Sequence, residues 1–142
     1  MSTYGLCDTV IYTNGSAKGG TSCGAYAAVV SRGSVQAPQV VSSRGGKGLI
    51  FTSSFEMEAR ALEAAVDYVG SSDVREPVLI CSDSQSVLSA LAGSRPSLYQ
   101  EIADLRRSLE LCPVDIFLQW VPSHCGLADN ELADQLAKEI AN

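Results

Sequence analysis

The run Pro77-Val78-Leu79-Ile80-Cys81-Ser82-Asp83 places the tightest limit on how this chain can fold. Continuous apolar character over so few residues is the mark of a buried central strand, too short for a helix and without the alternation of a half-exposed one. Asp83-Ser84 stands at its carboxyl end, ahead of a helix expected over Gln85–Leu91. In open α/β sheets ligands gather at the carboxyl ends of strands. Asp83 could therefore belong to a site, or Asp83 or Ser84 could simply cap the helix.

A second stretch carries the same ambiguity. Val10-Ile11-Tyr12-Thr13-Asn14-Gly15-Ser16 reads as a β-branched and aromatic strand over residues 7–13 that runs into a turn at Asn14-Gly15-Ser16. Alternation puts Val10, Tyr12 and Asn14 on one face, so the strand ends with a polar side chain on its apolar side. That is either a plain turn or the wall of a site. A further strand is expected over Thr21–Val30 after the Gly19-Gly20 turn, and a third from Val40-Val41 that tails off in Arg44-Gly45-Gly46-Lys47-Gly48. Together they predict an antiparallel meander.

From a cap at Ser53 or Ser54 a helix is expected to Val69, closed by Gly70-Ser71-Ser72. Glu58, Leu62, Ala65 and Val69 share one side of it, which sets a carboxylate on an apolar stripe. A helix-start glutamate favoured by the macrodipole is the plainer account. After a short linker, Ala92-Gly93-Ser94-Arg95-Pro96, a helix over Leu98–Leu111 carries the stripe Ile102, Leu105 and Leu109, with Arg106 and Arg107 on a solvated face. A last strand is expected over Asp115–Val121, then the loop Pro122-Ser123-His124-Cys125-Gly126. The final helix, Asp129–Ile140, is expected to bury Leu132, Leu136 and Ile140, with Asn130 and Asp134 one turn apart beside that stripe. The order β-β-β-α-β-α-α-β-α is that of an α/β fold, a mixed sheet with helices packed on it. Right-handed crossovers would bring the first and fourth strands together.

The 142 residues are expected to form one domain, residues 1–142. No apolar run is long enough for a membrane span, and no basic region followed by a hydrophobic block opens the chain. The net charge of −6 argues against a bulk basic nucleic-acid binder, though not against a local groove whose acids hold metal ions. Five cysteines at irregular spacing, with no C-x-x-C, are read as reduced thiols of a cytoplasmic or nuclear protein. Zinc ligation by His124 and Cys125 is set aside, since adjacent residues chelate poorly and no second ligand pair is spaced for it.

Taken together, Asn14 at a strand end, Glu58 on the inner face of a helix, Asp83 at another strand end and Asp134 on the last helix form one pattern. Clustered carboxylates repel unless cations lie between them, and hard oxygen donors suit Mg²⁺. At this point the chain resembles the type 1 ribonuclease H domains, particularly those of retroelement (non-LTR retrotransposon) polyproteins. The matching stretches are Ile11-Tyr12-Thr13-Asn14-Gly15-Ser16, Glu56-Met57-Glu58-Ala59, Ser82-Asp83-Ser84-Gln85-Ser86-Val87 and the run from Trp120-Val121-Pro122-Ser123-His124 to Asp134.

The resemblance implies a ribonuclease H-like fold with a five-stranded mixed sheet, three antiparallel strands followed by two parallel. It implies endonucleolytic hydrolysis of the RNA strand of RNA/DNA hybrids with two Mg²⁺ ions, for which Mn²⁺ can substitute. Glu58, Asp83 and Asp134 match metal-ligand carboxylates, and His124 matches a loop histidine that assists proton transfer or product release. Ser16, Ser54, Gln85 and Asn130 match positions at the substrate, while Phe55 stands where the family often has an amide.

One departure stands out: the family carries aspartate where this chain has Asn14. An amide offers a single neutral oxygen and bridges two ions poorly. The expectation is an inactivated or impaired Asp-to-Asn form of an otherwise complete site. The segment around Gly93 is too short for the basic protrusion of many cellular members, so weak, salt-sensitive binding and dependence on a tethered reverse transcriptase are expected, with the isolated domain a monomer and no membrane partner. Two alternatives stay open, a non-catalytic hybrid-binding module and another nuclease of the same fold, of resolvase or integrase type.

Overall fold

The structure, a computed structural model, describes residues 8–17, 23–33, 39–50, 53–93, 100–122 and 128–141. Five strands and four helices follow in the expected order: β1 (Thr9–Ser16), β2 (Cys23–Arg32), β3 (Gln39–Ile50), α1 (Ser54–Ser71), β4 (Val78–Ser82), α2 (Gln85–Ala92), α3 (Gln100–Leu111), β5 (Ile116–Trp120) and α4 (Ala128–Ala141). The sheet order is β3-β2-β1-β4-β5. β1, β2 and β3 pair antiparallel, and β4 joins β1 and β5 in parallel.

Alternation along the strands divides the core between the two faces of the sheet. Ile11, Ala28, Val30, Val78 and Ile80 face α1, where they meet Ala59, Leu62, Ala65 and Val69, with Ile102 and Leu105 of α3 in the same cluster. Val10, Tyr12, Val29, Leu79 and Cys81 face the other way and pack with Val121 and with Ala133 of α4. Every residue of β4 is buried, as its uninterrupted apolar sequence requires of a strand covered on both faces.

Four expectations are corrected. β1 does not turn at Asn14-Gly15-Ser16 but stays paired to Ser16, opposite Ala27, Tyr26 and Ala25 of β2. Gly15 is needed there for contact: a Cβ on it would lie 2.2 Å from the backbone carbon of Met57 and 2.3 Å from the nitrogen of Glu58. β3 likewise runs through its glycines to Ile50, and a Cβ on Gly46 would strike the Tyr26 ring across the ladder. Arg106 is not on a solvated face, because its Nη2 donates to the carbonyls of Ala90 and Gly93, at 2.6 and 2.9 Å, and closes the end of α2. Among the described side chains of α4 the buried ones are Ala133 and Ala137, with Leu136 packed beside them, whereas Leu132 is 41% exposed. Small side chains let this helix lie close on the sheet, and that rotates the leucine outward. The side chain of Ile140 lies outside the described residues.

Candidate active site

The parallel pairing of β1 with β4 builds the site. Its last paired residues are Tyr12 and Cys81. Asn14 and Asp83 each follow two residues later, on chains about 4.8 Å apart. The two strands are stitched at this point by Thr13, fully buried, whose hydroxyl donates to the Cys81 carbonyl at 2.9 Å. Beyond Ser82 the chain leaves the sheet, and Ser84 caps α2 by accepting the Val87 N–H at 3.3 Å. Ser84 is thus the helix cap, and Asp83 borders a cavity.

That cavity has a volume of about 440 Å³ and is bordered by Asn14, Gly15, Ser16, Ser54, Phe55, Glu58, Asp83, Ser84 and Ser86. Glu58 reaches it because α1 presses on Gly15. Glu58 as a whole is 8% exposed, with its Oε2 closed off from solvent, and Asn14 is 7% exposed. Two helix starts open on the same space: α1, capped by the Ser53 hydroxyl on the Glu56 N–H, and α2. Their positive dipole ends offset the negative charge of Glu58 and Asp83.

Of the residues singled out in the sequence, Asn14, Glu58, Asp83, Ser16 and Ser54 are thus brought together. Gln85 is exposed in the first turn of α2, between the cavity residues Ser84 and Ser86 and not itself a wall. Asp134 and Asn130 belong to α4, and Asp134 follows Ala133, which shares a cluster with Tyr12 and Cys81. Their side chains, and all of residues 123–127 with His124, lie outside the described residues. Asp8 lines a separate hollow with Arg32 and Asp73, far along β1 from Asn14. Ser86 and Phe55 were not chosen from the sequence as site residues; a serine or aromatic in the first turn of each helix flanking the acids was the available signal.

The donor set is oxygen only, a carboxamide and two carboxylates from three different elements, which is the chemistry hard divalent cations take. Among the described residues no three His, Cys, Asp or Glu side chains are grouped to hold a metal. A larger hollow, about 860 Å³, lies elsewhere, between α1, α3 and β3, and mixes Arg44 and Arg60 with Glu63, Asp67, Glu101 and Asp104. It lacks the strand-end convergence that marks the smaller one.

Fold and cavity define a class: a mixed-sheet α/β protein with an acid-lined site at the carboxyl ends of adjacent parallel strands. The chain belongs to the RNase H family, whose model, described as RNase H, matches residues 7–142. It is similar to the RNase H1 of the halophilic archaeon Halobacterium salinarum NRC-1, with 25% identity over 93% of this chain and 96% of that one and a TM-score of 0.73. It shares the fold of the N-terminal RNase H domain of a Mycobacterium tuberculosis protein, solved fused to maltose-binding protein (22% identity, 94% and 92% of the chains, TM-score 0.70). The fold also recurs in the foamy viral protease-reverse transcriptase in complex with RNA/DNA hybrid (19% identity, 99% of this chain and 21% of that one, TM-score 0.73). No functionally curated protein matches the chain.

Proposed function

We propose that this chain is a single ribonuclease H domain of a reverse-transcribing element, of the non-LTR retrotransposon kind. It is shaped to hydrolyse the RNA strand of RNA/DNA hybrids and is inactive or impaired because Asn14 stands where the family carries aspartate. The observation that carries the reading is the convergence of Asn14, Glu58 and Asp83 on one cavity beside the strand ends. Membership in the RNase H family supports the activity, and the hybrid held by the similar foamy viral protein supports the substrate. In that protein the matching region is about a fifth of a longer chain, which agrees with a domain working beside a tethered reverse transcriptase.

Glu58, Asp83, Asp134 and the amide oxygen of Asn14 would hold two Mg²⁺ ions, or Mn²⁺ in their place. Such ions supply Lewis acidity at the scissile phosphodiester and lower the pKa of bound water. The chain's own part is to hold those oxygens ready in a partly desolvated cavity. Ser16 and Ser54 present hydroxyls that can meet sugar and base edges, where the 2′-hydroxyl tells RNA from DNA. His124 is assigned proton transfer or product release, for which a near-neutral pKa suits it. Asn14 would leave the ions one negative charge and one anionic donor oxygen short, a loss of several kcal/mol in transition-state stabilisation, on the order of 10² to 10³ in rate.

The test is Asn14→Asp, assayed with Mg²⁺ on hybrid, duplex DNA, duplex RNA and a four-way junction. Cleavage confined to the RNA strand of the hybrid is the expected result. Cleavage of the junction would instead point to a resolvase-type nuclease, and an inert variant that still binds hybrid would mark a binding module. Binding by the isolated, monomeric domain should be weak, falling steeply between about 50 and 200 mM salt. The domain would work in the cytoplasm or nucleus.

A further inference from the structure

Trp120 is the only tryptophan in the chain, and 45% of it is exposed at the end of edge strand β5. Its backbone pairs with Ser82, the last residue of β4, and the next N–H, that of Val121, donates to the Ser82 carbonyl at 2.9 Å. Its indole Nε1 donates to the carbonyl of Asp83 at 3.3 Å. From the other side the Ser82 hydroxyl accepts the N–H of Ser84 at 3.1 Å, and Ser84 in turn caps α2. Asp83 is the one residue between the end of β4 and that cap, so without these bonds its peptide units could rotate and redirect the side chain. Trp120 is not among the residues bordering the cavity, so any influence on it passes through Asp83.

We infer that Trp120 is a positioning residue for Asp83: its indole N–H fixes the Asp83 peptide, sets the aim of that carboxylate into the cavity, and makes the indole a reporter of a divalent cation taken up there. This rests on the reading of the cavity as a cation site. The coupling runs both ways, as linkage requires. A cation that draws on the Asp83 carboxylate shifts the peptide that the indole holds, and removing the indole N–H loosens the carboxylate the cation needs.

The experiment uses the whole chain as Asn14→Asp, with Mg²⁺ as the probe because it is diamagnetic and does not quench indole emission as a paramagnetic ion would. Calorimetry should register Mg²⁺ uptake, and tryptophan emission should change over the same concentration range and saturate with it. Trp120→Phe, which keeps an aromatic ring and deletes the donor, should weaken Mg²⁺ binding about threefold to tenfold, the span of one hydrogen bond's net worth. Its KM for hybrid should stay within about twofold, since Trp120 touches no substrate in this scheme. Mg²⁺ uptake with silent emission, or an unchanged affinity in Trp120→Phe, overturns the inference and leaves the functional reading standing. A raised KM with unchanged Mg²⁺ affinity also overturns it, making Trp120 a surface for substrate. Absence of any Mg²⁺ uptake overturns both.

Discussion

Gly15 is the position at which fold and site are most directly joined, and Gly15→Ala tests that junction. The added methyl would lie 2.2 Å from the Met57 carbonyl carbon, 2.3 Å from the Glu58 nitrogen and 2.5 Å from the Met57 oxygen. All three are helix backbone, which cannot rotate away as a side chain tip would. To restore ordinary contact, α1 must retreat from β1 by about 1.2–1.8 Å. Its buried residues Met57, Ala59, Ala61 and Leu62 would then lose their fit against the sheet. Overpacking of this kind costs about 1–3 kcal/mol, and a rigid obstacle belongs at the upper end. With a urea slope of about 2 kcal/mol/M, the unfolding midpoint should fall by roughly 1–1.5 M. Gly70→Ala is the internal control: it lies in the same helix with nothing within 4 Å, and should hold or raise stability by up to about 1 kcal/mol. If Gly15→Ala unfolds within about 0.5 kcal/mol of the parent, the close approach of α1 to β1 is wrong, and so is the route by which Glu58 reaches the cavity.

Glu63, whose carboxyl is pushed up by burial and then by Asp67, Asp104 and Glu101 against the relief from Arg60, holds its proton more tightly folded than unfolded. Stability should therefore fall as pH rises from the ordinary 4.5 through the raised folded value, and Glu63→Gln should flatten that slope and stabilise the protein at pH 7 by a few tenths of a kcal/mol, as read by thermal melts across pH. Arg106→Ala removes the donors on the carbonyls of Ala90 and Gly93 and should cost about 1–2 kcal/mol in chemical unfolding, with lysine restoring only part because it lacks the planar fork.

How much the sequence disclosed depended on the range of the interaction behind each feature. β4 could be read outright because a strand buried on both faces must be apolar throughout, and α1 because its stripe Glu58, Leu62, Ala65 and Val69 repeats at helical spacing. Strand ends were read less well. Gly15 and Gly46 look like turn residues to any local rule, yet each is required by something distant in sequence, the α1 backbone in one case and the Tyr26 ring in the other. Arg106 escapes a local rule for the same reason, since its acceptors lie 16 and 13 residues earlier. Leu132 shows the limit of periodicity: the last helix offers leucines and alanines at helical spacing, and close packing turns Ala133, Ala137 and Leu136 to the sheet and Leu132 away from it. In the site, the chemistry of Asn14, Glu58 and Asp83 was legible as residue types, whereas the link from Trp120 to Asp83 exists only once β5 lies beside β4.

Asn14 also bears on the fold, because the cavity it borders already holds Glu58, nearly buried, and Asp83. A third carboxylate at a position 7% exposed would add repulsion that two helix dipoles offset only in part. Asn14→Asp should accordingly be less stable than the parent when divalent ions are chelated, by about 1–3 kcal/mol. Mg²⁺ at a hundred times its dissociation constant would return about 2.7 kcal/mol to the aspartate form, and less to the parent, whose site is weaker by a charge. The two melting curves should thus approach or cross as Mg²⁺ is added. Curves that stay parallel at every Mg²⁺ concentration would mean that position 14 does not face a cation, and the amide would then be a neutral replacement in a strand with no bearing on cation binding.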